Sequence, residues 1–419
     1  MGRGHGMGSI FDAVALPPGL NTAGFSADSS ARAAGLEQRR VERIARALQH
    51  LYDSGAYPGV SLCVRHEGRV VFNCALGFAA GGGPGDAAGT ARRSMTLDTP
   101  VCVFSASKAV TAVLVHKLAE EGGISLEAPV AYYLPRFARH GKGRVTITDV
   151  LCHRAGVASP PIPRAVRTPA LLEHPEQILE YICNAPLRGY GRPGYHALTG
   201  GYVLGAIIES ATGMALPDYL DTRLRQPLGM RSFTYGLQPE LRPEVARNYA
   251  AGMPVHFPVS TFIKRLLLVD FDLVIEASNS ASFMDAVIPA GNLYATADEL
   301  SRFFQMLLDG GVYAGRRVLA PKTVARLLRP RGDVALDRAL LIPMRYSDGL
   351  MLGTSGVGLY GFGAGDAFGH LGFTNVLGWA QPSRGIAAGL LTTGKAVLGP
   401  HLPALLRLLG AIRRLPTAA

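Results

Sequence analysis

Two residues in the first third of this 419-residue chain could together make a nucleophile, Ser105 and Lys108. A spacing of three puts both side chains on one helix face, about one turn apart. The serine follows the apolar run Val101 to Phe104, so the spacing predicts a helix opening at the serine, running through Ala106 to Glu121 and closing at Gly122-Gly123. At such an opening, free backbone N–H groups and the positive end of the helix dipole favour a developing anion. A serine hydroxyl is a poor nucleophile until a neighbouring base takes its proton. A lysine serves if burial lowers its pKa. Alone, the same spacing is better described by an N-capping serine followed by a surface lysine.

Two later segments change that balance. Gly194-Tyr195-His196-Ala197-Leu198-Thr199 offers a phenol before an apolar helix, and Gly369-His370-Leu371-Gly372-Phe373-Thr374-Asn375 offers an imidazole on a strand-like stretch. In this chain order, the three segments resemble the Ser-x-x-Lys, Tyr-x-Asn and Lys-Thr-Gly (or His-x-Gly) signatures of the serine β-lactamase and penicillin-recognising superfamily. Its esterase-type branch, the family VIII carboxylesterase-like serine hydrolases, is the best match. The stretches Ile124 to Pro135, Val145 to Val157 and Ala290 to Leu300 extend the likeness to about residues 36–395. The resemblance implies an acyl-enzyme on Ser105, with Lys108 sharing the proton. Tyr195 would be the partner base, its pKa lowered by neighbouring donors and cations. His370 would line the cleft, Gly372 would permit close backbone approach, and the N–H groups of Ser105 and Phe373 would form the oxyanion hole. Ala197 stands where the family has asparagine and His370 where β-lactamases carry lysine. Both departures favour ester substrates over β-lactams. Carboxylic ester hydrolysis is therefore the expected function. The alternatives are an acyltransferase of the same fold, a β-lactamase or D-amino-acid peptidase, and a non-catalytic binding protein.

The elements that must position these groups are readable in outline. Residues 1–34 form an irregular lead-in, and 35–419 are expected to make one catalytic domain. Leu36, Val41, Ile44, Leu48 and Leu51 recur at helical spacing. Val60–Arg65 with Val70–Ala75, and Asn375–Ala380 with Ile386–Thr392, read as two hairpins. Leu198–Ala211 is an apolar helix closed by Gly213, and His401–Leu415 a basic, leucine-rich terminal helix. Strands at both ends with helices between predict an α/β (α+β) fold. Its antiparallel sheet comes from about 35–100 and 335–419, and a mainly helical region, about 101–334, is inserted. That is also the fold the resemblance implies.

Composition narrows the function classes. The net charge of +11 is dispersed, with no aromatic-basic pattern for nucleic acid. The five cysteines lie in apolar settings, which predicts buried free thiols in a reducing compartment. No secretory leader and no apolar run long enough to span a membrane is seen, so a cytoplasmic location is expected. Gly81–Gly89 lacks the lysine of a phosphate loop, and the histidines show no zinc spacing, so neither cofactor nor metal is expected. The expected partner is a small-molecule ester, and the oligomeric state is left open. Phe262–Phe271 reads as a core segment in preference to a hydrophobic wall or lid for an acyl chain. The terminal helix reads as core-facing in preference to touching a membrane surface.

Overall fold

Alternating apolar residues near both chain ends meet in one sheet in the computed structural model, which describes residues 36–417 apart from 159 and 268. The expected lead-in, 1–34, lies outside the described residues. Strands β1 (Gly59–His66), β2 (Arg69–Ala80) and β3 (Arg93–Ser94) come from the first end. The central part holds β4 (Val101–Cys102), β5 (Thr234–Tyr235) and β6 (Leu293–Ala295). The second end supplies β7 (Met351–Leu352), β8 (Phe368–Leu371), β9 (Leu377–Gln381) and β10 (Ile386–Thr392). The main sheet runs β7-β8-β9-β10-β1-β2-β3, with every neighbour antiparallel. The two ends of the chain join where Val60 faces Thr392 and Cys63 faces Gly389.

Helices cover both faces, so the central strands are buried on both sides. Helix α1 (Gln38–Tyr52) turns Val41, Ile44, Leu48 and Leu51 inward, and the terminal helix His401–Arg413 packs against it through Leu408, Leu409 and Ile412. The terminal helix thus faces the core, as its leucine spacing suggests. The opposite face carries the helix Ala297–Leu308, opened by a capping box between Thr296 and Glu299. It lies close to the sheet because Gly378 has no side chain. A Cβ there would stand 2.3 Å from the Phe304 ring.

The inserted region is mainly helical, but it holds a small sheet that the sequence reading does not foresee. β4 and β5 both pair with β6. The β-branched residues Val101 and Val103 flank Cys102, a run that favours extended backbone over helix. This sheet delivers the chain to Ser105. The following α-helix, α2, starts at Ser107 and ends at Glu120, while Ser105 lies in a single 3₁₀ turn, Phe104–Ala106. The expectation that Ser105 opens the α-helix is corrected by two residues.

Candidate active site

The turn that carries Ser105 is held under local strain. Phe104 sits at φ +46°, in the left-handed region that a bulky side chain rarely adopts. Several contacts enforce it. The Ser107 hydroxyl donates to the Phe104 carbonyl and accepts from Leu293 N–H at 3.0 Å. Tyr235 donates to the Ser107 carbonyl at 2.9 Å. The Phe104 ring is wedged by Phe373, 5.3 Å away, and by Phe283. The ammonium of buried Lys395 lies 4.9 Å from its centroid. Gly372, at the end of β8, completes the arrangement. A Cβ there would meet the Val103 carbonyl at 2.4 Å, so only glycine lets the strand end pass this close to the turn.

Lys108 lies within α2, its Nζ 3.1 Å from Ser105 Oγ and 2.9 Å from the Ala290 carbonyl. That carbonyl is placed by Asn292. The Asn292 side chain accepts from Ile288 N–H and donates to the carbonyls of Phe283 and Ala286. Burial pushes the Lys108 ammonium down to about 7. A neutral amine in contact with a serine hydroxyl has the properties of a general base at physiological pH.

Tyr195 is brought to the same place from another direction. Its ring lies 4.9 Å from Lys108 Nζ, and its phenol is hydrogen-bonded with Ser105. The expected fall in its pKa is not found. Burial raises it, nearby Asp337 adds to the rise, and the bond to Ser105 offsets only part. Desolvation of the phenolate outweighs the donors that the sequence reading counted. Tyr195 is therefore held as a proton donor.

His370 is fully buried on β8, with Nδ1 2.7 Å from the Leu371 carbonyl. Its ring lies 6.2 Å from that of Tyr195. It does not line the cleft as expected, because the strand turns its side chain inward behind Tyr195. Its chain neighbours Leu371, Gly372 and Phe373 form the wall instead. Burial, reinforced by the charge of Lys108, lowers its pKa to about 3, so it is neutral.

Two supporting residues escape sequence reasoning. His153 sits at φ +59°, with its ring 4.7 Å from that of Tyr195, and its Nδ1 accepts from His196 N–H at 3.1 Å. Desolvation, with charge repulsion from its neighbours, keeps it well below the usual histidine range. Asp337 is fully buried. It accepts from Tyr195 N–H at 3.1 Å, from Ala339 and Leu340 N–H, and from the Tyr346 hydroxyl at 2.9 Å. It lies 142 residues from Tyr195 in a segment with no periodicity, so no local signal points to it.

Beside Ser105 opens a cavity of about 420 Å³. The segment read as core, Phe262–Phe271, contributes Ile263, Leu266, Val269 and Phe271 to its wall. Ile263 and Phe271 are buried in one cluster with Ile275, as the core reading expects, and the same segment also forms part of the cavity wall. The helix Val259–Leu267 and the next, Phe271–Ala277, turn these side chains towards the cleft.

Comparison with known proteins places this geometry. The family model described as Beta-lactamase matches residues 44–411. The esterase/beta-lactamase LipL of Mycobacterium tuberculosis (strain ATCC 25618 / H37Rv) is 30% identical over 378 residues, which cover 87% of this chain and 83% of LipL. A penicillin-binding protein homologue from Caulobacter crescentus superposes with a TM-score of 0.73 at 26% identity, covering 89% of this chain and 96% of that one. A family VIII carboxylesterase gives 0.75 at 24% identity, covering 90% and 97%.

Proposed function

The chain belongs to the beta-lactamase family, and we propose that it is a serine hydrolase that cleaves carboxylic esters through an acyl-enzyme on Ser105. The observation that carries this reading is the contact of Ser105 Oγ with a buried, readily deprotonated lysine, 3.1 Å away. In the proposed reaction, Ser105 Oγ attacks the ester carbonyl as Lys108 Nζ takes the hydroxyl proton. The oxyanion is met by the backbone N–H groups of Ser105 and Phe373, each typically contributing about 3 kcal/mol to the barrier reduction. Collapse of the tetrahedral adduct breaks the ester C–O bond. Tyr195, kept protonated by burial, gives its proton to the departing alkoxide and is reprotonated from Lys108. Water then attacks the acyl-serine and gives a proton to the same pair; the acyl C–Oγ bond breaks, the proton returns to Ser105 Oγ, and the carboxylic acid is released. His370, His153 and Asp337 act as positioning residues for Tyr195.

The choice of ester over β-lactam rests on the cleft. Ala197 lines it where the family carries an amide, and His370 is neutral and buried where a cation would meet a β-lactam carboxylate. Water is taken as the acceptor; added alcohols that divert the product to a new ester would assign an acyltransferase instead. The test is hydrolysis of p-nitrophenyl esters by wild type and Ser105→Ala, with a chromogenic cephalosporin alongside. Ester turnover that disappears in the variant, with little cephalosporin cleavage, is the expected result. Cephalosporin turnover exceeding ester turnover would overturn it.

A further inference from the structure

We propose that the substrate carries a long, uncharged hydrocarbon group and that the cavity beside Ser105 houses it. The inference deepens the ester-hydrolase reading and rests on it. At about 420 Å³ the cavity falls within the range that encloses small-molecule ligands, so an acetyl group would leave most of it unfilled. Leu171 and Ile178 form one side, and Ile263, Leu266, Phe271 and Val274 another. Such walls offer a hydrocarbon chain burial and offer a polar group no partner.

Charge points the same way. Arg167 is the one charged side chain lining the cavity among the described residues, and it is already engaged. Its Nε and Nη2 both donate to the Ile162 carbonyl, at 3.0 and 2.7 Å. A substrate carboxylate would have only this one guanidinium to meet, and away from it a buried charge would be unpaired, which is costly. The opening is apolar as well. Leu273 and Ile342 line the cavity while remaining 42% and 45% exposed. A chain longer than the cavity could therefore leave through the mouth against hydrocarbon.

The hydrocarbon can belong to the acyl or the alcohol half of the ester, and two substrate series separate these. One is p-nitrophenyl esters from acetate to dodecanoate. The other is acetates of straight-chain alcohols of matching length, each assayed below its aggregation threshold on the full chain. A fluorophosphonate probe measures the fraction of reactive Ser105. We expect kcat/KM to rise about fourfold per methylene over the first several carbons in one series, and the rising series names the half. A monoester of suberic acid should turn over at least tenfold more slowly than the octanoate. Val274→Trp, which fills the cavity, and Leu266→Glu, which charges its wall, should each cut long-chain kcat/KM at least tenfold. The readout is the ratio of long-chain to acetate kcat/KM, which should fall at least tenfold in both variants, with the probe-labelled fraction of Ser105 correcting for any enzyme that fails to fold. Labelled enzyme that prefers acetate, or variants that leave the long-chain preference unchanged, would overturn this inference alone. Absence of both labelling and turnover would overturn the Ser105 reading and the inference with it.

Discussion

The proton inventory around Ser105 differs from what its sequence neighbourhood suggests. Proximity to donors argued for a lowered Tyr195 pKa, but burial acts on every group in this site and pushes each towards its neutral form. For Lys108 the neutral form is the base. kcat/KM should therefore climb about tenfold per pH unit towards pH 7 and level off above it, as Lys108 loses its proton. A pH–rate profile of wild type checks this. Lys108→Arg, which stays charged, should lose about 10³-fold or more in kcat/KM and not recover by pH 9. The same shift has a stability consequence. Lys108 has a folded pKa of about 7 against an ordinary 10.5, so between those values the unfolded chain binds the proton that the folded chain has released. Stability from this residue rises with pH through that window, and the gain is absent below pH 7. Lys395, also lowered to about 7 by burial, adds a second such contribution. Tm measured from pH 6 to 9 should rise less steeply in Lys395→Met. The residue types were legible in the sequence, whereas their protonation states were not, because desolvation is a property of the packed site.

At the scale of elements, short irregular segments aim the side chains. The main strands and helices were legible because their apolar residues repeat every second residue, or every third to fourth. The strained turn at Phe104, the two-residue strand before it and the Asp337 anchor carry no such period. Each depends on partners remote in sequence: Leu293 for the turn and Tyr195 for the anchor. Asp337→Ala would strip an acceptor from three backbone N–H groups and the Tyr346 hydroxyl. Each buried donor left unpaired costs about 1–3 kcal/mol, so chemical denaturation should show a loss of at least about 3 kcal/mol. Turnover should fall with it, because the backbone N–H of Tyr195 loses its tether. Gly372→Ala presses a methyl against the Val103 carbonyl and so against the turn itself. A misplacement of about 1 Å can cost 10²-fold. The substitution should lower kcat by at least tenfold while leaving far-ultraviolet circular dichroism unchanged. An activity within twofold of wild type would show that strand and turn are not mechanically joined.

Across the whole molecule, the two chain ends close one sheet, and the inserted region brings the first two motif segments up to the third, which lies on and just after β8. That architecture was legible in the alternation of strand and helix patterns and in the order of the motifs. The cavity was not, because Phe262–Phe271 has the same apolar composition whether it fills a core or lines a cleft. Only the placement of its two helices separates these. The closure of the sheet also makes the last helix part of the core. Deleting residues 401–419 would expose Leu408, Leu409 and Ile412 together with the apolar face of α1. The truncated chain should be insoluble, or lose cooperative unfolding in thermal scans. Among the described residues no helix is long and apolar enough to cross a membrane. An ester that passes its acyl group to Ser105 leaves a covalent acyl-enzyme, which can be trapped. Wild-type protein is mixed with a slowly deacylated p-nitrophenyl ester, quenched in acid, digested and read by mass spectrometry. One acyl mass is expected on the peptide containing Ser105, absent from Ser105→Ala. Acylation at another residue, or ester turnover by Ser105→Ala at the wild-type rate, would contradict it.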